Sequence, residues 1–113
     1  MTELAALPAV RAPERDTLLE FLDYFRSVFI RKSDDVTDEQ ARQRVGASDL
    51  DLLGLVRHMA GVERFWFQQA FAGRDLPDRW VNPTDPDDAD ADFHHQPGDT
   101  LAEARAAWHE EVP

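Results

Sequence analysis

The sequence predicts an all-α fold, a helical bundle of about three main helices and one short helix. Apolar residues recur at helical spacing in three stretches, and helix-capping patterns precede several of the helical segments. A long acidic segment without periodicity separates the second main stretch from the third. The chain has 113 residues, of which 42% are hydrophobic, and this suffices for one domain with one core.

The first main helix is predicted from Pro13 to about Lys32. Proline suits the first position of a helix because the N–H that it lacks would have no partner there. Residues 1–12 are interpreted as a loose lead-in. The apolar stripe of this helix runs through Leu18, Leu22, Phe25 and Phe29.

A short helix is predicted over residues 38–45, in the connection between two main helices. Thr37 and Gln40 have the spacing of a capping box, in which each side chain bonds the free amide of the other residue. Gly46 is expected to end this helix.

The central helix is predicted from Leu52 to Phe71. Ser48 is its expected cap, with the carboxylate of Asp51 in the first turn, and Gly73 is its expected stop. The predicted apolar stripe consists of Leu52, Leu55, Val56, Met59, Val62, Trp66 and Ala70.

Residues 74–98 are predicted to form a long crossover loop, rich in proline and aspartate and without helical periodicity. The aspartates lack the glycine and the final glutamate of an EF-hand, so a solvated acidic loop is favoured over a calcium site. Trp80 and Phe93 are expected to hold the loop against the bundle.

The third main helix is predicted after Thr100, which has the spacing of a second capping box with Glu103. Three apolar helix faces make an incomplete bundle. We therefore expect residues 1–113 to form a single, incomplete domain that a further helix or a partner chain completes. The apolar stripe of this helix runs through Leu101, Ala104, Trp108 and Val112.

The formal net charge of −11 argues against nucleic acid and anionic membranes as partners, because both repel an acidic protein. The absence of cysteine excludes a disulfide framework, cysteine-ligated zinc and a thiol nucleophile. The N-terminus has no uninterrupted apolar run after a basic start, so no signal peptide is expected. No run approaches the ~20 apolar residues of a membrane span. A cytoplasmic location is expected.

His58 is the candidate functional residue. It lies at the edge of the central stripe, with Gly54 and Gly61 on the same side of the helix. Glycines inside a helix cost roughly 1 kcal/mol each. One use of that cost is space around the imidazole for a ligand or metal, and the alternative is close helix packing. From the residues alone, a hydrogen bond within the bundle is favoured over metal ligation.

Glu63 falls near the centre of the predicted stripe, where a carboxylate must be paired, protonated or bound. It lies about 140° round the helix from His58, so the two cannot easily share one ion. Among the other histidines, His94 and His95 are expected to point to different sides, and His109 could face inward. The sequence has no H-x-x-x-H or H-E-x-x-H pair, which a strong metal signal would require.

Four segments resemble the DinB-like superfamily, most closely its DUF664 branch. They are ERDTLLEFLDYFR, VTDEQARQRV, LDLLGLVRHMAGVERFWF and GDTLAEARAAWHEE, and LLGLVRHMAGVERFWF is the most specific part. The similarity covers nearly all of residues 14–111. It implies a four-helix bundle of up-down-down-up order, with a long crossover after the second helix where residues 74–98 lie.

The resemblance also implies a divalent metal, zinc or nickel, held by three ligands. His58 matches the first, a histidine on the second helix. The other two lie on the last helix of the family, in an H-x-x-x-H-like motif that has no counterpart in this chain. Characterised members include transferases and isomerases that use mycothiol or bacillithiol, with the metal activating the thiol as thiolate. The expected cofactors are therefore a divalent metal, in a full-length parent, and a low-molecular-weight thiol. Residues 1–113 alone are expected to bind metal weakly or not at all.

Two functions remain open. The first is a metal-binding, thiol-dependent transferase or isomerase with His58 as a metal ligand, acting on a small molecule that the sequence does not identify. The second is a non-enzymatic, acidic helical module that acts by self-association or by binding a protein partner. Apolar stripes left exposed by the incomplete bundle predict a homodimer.

Overall fold

A computed structural model describes residue 5, residues 14–48 and residues 50–112, so Pro13 and most of the predicted lead-in lie outside the described residues. The described residues contain no β-strand, and one isolated bridge joins Asn82 and Asp85. The prediction of an all-α fold is confirmed. The helices are α1 (Glu14–Arg31), α2 (Asp38–Ala41), α3 (Leu52–Glu63), a π-helical segment (Arg64–Phe71) and α4 (Leu101–Glu111).

The chain forms two compact units, Met1–Val36 and Thr37–Pro113. The first unit contains α1, whose bounds agree closely with the prediction. The hydroxyl of Ser27 accepts a hydrogen bond from the Ala5 amide at 2.9 Å. The described part of the lead-in therefore contacts α1.

The second unit begins with the capping box predicted for α2. Thr37 Oγ1 accepts from the Gln40 amide at 3.1 Å, and Gln40 Oε1 accepts from the Thr37 amide at 3.0 Å. The helix ends before the predicted residue 45. The Val45 amide bonds the carbonyl of Leu50 at 2.9 Å instead of a helical carbonyl, because Gly46, with a φ of 61°, turns the chain back.

The N-terminus of α3 is capped by Asp51, and the prediction of Ser48 as the cap is wrong. Asp51 Oδ1 accepts from the Gly54 amide at 2.7 Å, whereas the Ser48 hydroxyl donates to the carbonyl of Val45 at 2.8 Å. A carboxylate is the stronger acceptor at the positive end of a helix.

The face of α3 that is buried differs from the predicted stripe. Its buried residues are Leu53, Gly54, Val56, Arg57, Ala60 and Glu63. The predicted positions beside it are only half-buried; these are Leu52, Leu55, Met59 and Val62. The buried face is set by the helix that α3 packs against, which is mainly α4.

The predicted single helix from Leu52 to Phe71 is right in its bounds but changes pitch. From Arg64 onward it is π-helical. Hydrogen bonds from residue i to i+5 place side chains differently about the axis than α-helical bonds do. The α-helical stripe therefore cannot be extended to Trp66 and Ala70, both of which are exposed.

The remaining helix ends follow the predicted signals. Gly73 has a φ of 66° and stops the π-helical segment. Thr100 caps α4 by accepting from the Glu103 amide at 3.2 Å. No described helix is long and apolar enough to cross a membrane. The buried residues of α4 are Leu101, Ala104, Ala107, Trp108 and Glu111.

Candidate functional site

His58 is paired with a carboxylate from the crossover segment. Its Nδ1 lies 2.8 Å from Asp92 Oδ2, and the two side chains are 40% and 22% exposed. This contact depends on α3 and on a segment 34 residues further along the chain. The prediction of a solvated acidic loop is therefore wrong for Asp92, which forms part of a His–Asp pair.

Phe93 stacks on the His58 imidazole, with 5.0 Å between ring centroids and 28° between ring planes. Gly54 makes room for this ring, because a Cβ there would lie 2.9 Å from Phe93 Cδ1 and 3.3 Å from its Cα. Of the two uses expected for this glycine, close packing is the one found, although the neighbour is a loop and not a helix. Gly61 is less crowded, with Trp80 Cδ1 at 3.6 Å from a Cβ built there.

A cavity of about 310 Å³ lies beside His58. Its walls combine three aromatic rings, Phe65, Trp66 and Trp80, with polar and charged groups. Of these rings, Phe65 and Trp66 are each 51% exposed. The other lining residues are Gly61, Val62, Gln69, Asp78, Arg79, Asp88, Ala89, Ala91 and Asp92.

Trp80 and Arg57 hold the crossover segment on α3. The Trp80 indole N–H donates to the carbonyl of Arg57 at 2.5 Å, and the Arg57 guanidinium lies 4.1 Å from the centre of the indole. The expected anchoring by Trp80 and Phe93 is therefore found. Arg57 was not predicted from the sequence, although a charged residue between the apolar Val56 and Met59 was a signal that this side of the helix meets polar groups.

Glu63 is 4% exposed and lies on the buried face of α3, as its position in the stripe predicted. Glu111 of α4 is also buried and bonds two arginines, one of which, Arg64, directly follows Glu63 in the chain. Its Oε1 accepts from Arg64 Nε at 2.8 Å and from Arg79 Nη1 at 3.3 Å. Through Arg79, which also lines the cavity, α4 is tied to the crossover segment.

The other histidines do not join His58. His94 Nδ1 lies 2.6 Å from Asp88 Oδ2. His95 lies between Asp51 Oδ2, at 2.7 Å, and Arg42 Nη1, at 3.1 Å. The adjacent pair therefore binds different partners, as expected.

His109 is exposed and has its ring edge-on to Trp108 at 5.1 Å between centroids, so the expectation that it could face inward is wrong.

The described residues do not form a metal site by themselves. They contain no group of three or more histidine, cysteine or acidic side chains placed to hold one ion, whereas protein zinc sites use three or four such ligands. His58 offers one ring nitrogen, Nε2, because Asp92 holds the other.

These features define an all-α protein with a histidine on its central helix, facing a cavity beneath a long acidic crossover, as expected of the DinB-like superfamily. A family model described as mycothiol-S-transferase (MST) matches residues 17–113. The chain belongs to this family, which is part of the DinB-like superfamily. A search of curated proteins and a search of solved structures each gave no match. Membership of the DUF664 branch stays a prediction.

Proposed function

We propose that this protein transfers a thiol, of the mycothiol class named by its family, to an electrophilic small molecule in the cavity beside His58. The observation that carries the proposal is the His58–Asp92 pair at the wall of that cavity. The family match supports the thiol as one substrate. The aromatic walls suit an apolar portion of the second substrate.

In the proposed reaction His58 is the general base. Its Nε2 takes the proton of the thiol, and Asp92 accepts a hydrogen bond from Nδ1–H and stabilises the imidazolium that forms. The thiolate sulfur then bonds to the electrophilic carbon of the second substrate. The leaving group departs with its electron pair, and the imidazolium returns the proton to it or, where the leaving group is a weak base such as chloride, to water.

The test is a transfer assay with mycothiol and a chromogenic electrophile such as 1-chloro-2,4-dinitrobenzene. Replacement of a general base lowers rates by roughly 10²–10⁴-fold, so we expect that loss in His58→Gln. His94→Gln is the matched control, because His94 has its own aspartate partner but does not line the cavity. Equal rates in wild type and His58→Gln would refute the role of His58.

The metal-ligand role of His58, with zinc or nickel, also remains a proposal. Its support is that a metal-bound histidine usually donates its other ring N–H to a carboxylate, as Nδ1 can to Asp92. Elemental analysis of wild type and of His58→Ala after loading with Zn²⁺ or Ni²⁺ tests it. Equal metal content in the two proteins would remove His58 as a ligand.

Self-association is the alternative function, and the homodimer is a proposal on the same footing. Its support is the exposure of large rings on the π-helical segment, with Phe65 and Trp66 at 51% and Phe71 at 80%. Light scattering after gel filtration tests it, with Phe71→Ser as the variant expected to weaken association. A monomeric mass across the micromolar range would refute the dimer.

A further inference from the structure

Arg57 is a buried arginine that binds the backbone of the crossover segment. It is 6% exposed and precedes His58 in α3. Its Nε donates to the carbonyl of Asp92 at 2.7 Å, and its Nη2 donates to the carbonyl of Ala91 at 3.1 Å. One edge of the guanidinium therefore holds two successive peptide units.

The rest of the guanidinium is also restrained. Its Nη1 lies 3.5 Å from Asp99 Oδ2, and its plane lies over the indole of Trp80. Burial lowers the pKa of Arg57, while the charges of Asp99 and Asp92 act in the opposite direction. A buried charge with this many partners has little freedom to move.

These contacts converge on Asp92. Arg57 holds its carbonyl, and the carboxylate of the same residue lies 2.8 Å from His58 Nδ1. We infer that Arg57 is a positioning residue, which orients the His58 imidazole by fixing the backbone that carries Asp92. This inference rests on the proposed function, because orientation matters only if Nε2 of His58 acts in the cavity.

Lysine cannot take over this role. A lysine ammonium is a single point of charge on a flexible stem, whereas the planar guanidinium presents two parallel N–H groups to two carbonyls. Arg57→Lys keeps the positive charge and removes the two-point contact. The variant thus separates geometry from charge.

The experiment measures the tautomer of the His58 ring by ¹⁵N NMR at alkaline pH, where an ordinary imidazole is neutral. In wild type we expect the form with the proton on Nδ1, facing Asp92. The measured quantity is the ratio of the Nδ1–H tautomer to the Nε2–H tautomer. Asp92→Ala removes the hydrogen bond to Nδ1–H altogether, and we expect it to lower this ratio by up to about tenfold. We expect Arg57→Lys to lower that ratio by at least about threefold.

Arg42→Lys is the matched control. Arg42 also holds the crossover by its backbone, through the carbonyls of Gln96 and Pro97 at 3.1 and 3.2 Å, but it does not touch Asp92. We expect its His58 tautomer ratio to equal that of wild type. A ratio unchanged in Arg57→Lys, or lowered equally in Arg42→Lys, would overturn the inference.

A second measurement needs no variant, in case Arg57→Lys does not fold. The Arg57 Nε–H in wild type is expected to exchange slowly with solvent, since it is bonded to the carbonyl of Asp92. Rapid exchange in the folded protein would also overturn the inference. Both measurements use no substrate, so an inactive protein with an oriented His58 would refute the proposed function and leave this inference standing.

Discussion

Gly54→Ala and Gly61→Ala offer a sharp test of the packing at the site, because both glycines lie in α3 but meet different surroundings. A Cβ at position 54 would lie 2.9 Å from Asp51 Oδ1 and 2.9 Å from Phe93 Cδ1. The nearest atoms to a Cβ at position 61 are Trp80 Cδ1 at 3.6 Å and Asp92 Oδ2 at 3.7 Å, which are ordinary contacts.

Three terms set the expected effect of Gly54→Ala. Alanine gains roughly 1 kcal/mol over glycine inside a helix. Overpacking against Phe93 costs about 2 kcal/mol, and a displaced Asp51 cap costs about 1 kcal/mol. The free energy of unfolding should therefore fall by about 2 kcal/mol, which lowers Tm by roughly 8 °C for a chain of this size.

Gly61→Ala carries only the first term, so its free energy of unfolding should rise by up to about 1 kcal/mol. Urea unfolding followed by circular dichroism measures both variants. A Gly54→Ala protein as stable as Gly61→Ala would show that Phe93 does not pack on α3 as described. It would also contradict the stacking of Phe93 on His58.

Three further predictions concern the crossover and the domain. The pKa of Asp88 is lowered to about 2, first by the hydrogen bond from Asn82 and then by that from His94. Since the folded pKa lies below the ordinary value of 3.8, the stabilisation that ionised Asp88 provides is complete above about pH 4 and is lost as the pH falls through 2. The titration of the Asp88 carboxyl carbon, followed by ¹³C NMR, measures this pKa. A midpoint near 3.8 would contradict the prediction. Asp51→Ala removes the cap of α3 and a partner of His95, and should lower the free energy of unfolding by about 2 kcal/mol in urea titrations, whereas an effect below about 0.5 kcal/mol would contradict the cap. The single domain proposed for residues 1–113 should melt in one calorimetric transition, and two separate transitions would refute it.

The helices could be predicted because their signals are local. The capping box of Thr37 and Gln40 and the stop at Gly73 each depend on atoms within one helical turn. Local signals were less reliable where two acceptors competed, as when Asp51 and not Ser48 capped α3.

The candidate site was predicted only in part. His58 stood out because it lay between two glycines on an apolar helix. Its partner Asp92 could not be chosen from the sequence, since the same acidic run offers several aspartates with similar neighbours. Which of them meets His58 depends on how Arg57 and Trp80 hold the crossover on α3.

The all-α class, the ends of most helices and the resemblance to the DinB-like superfamily could all be predicted without the fold. Periodicity and capping depend on residues close together in the chain, so both can be recognised before the fold is known. Which face of α3 is buried could be known only from the fold, because it depends on how α3 packs against α4. The His58–Asp92 pair also depends on the fold. The two residues are 34 positions apart in the chain, and they meet only because the crossover segment packs against α3.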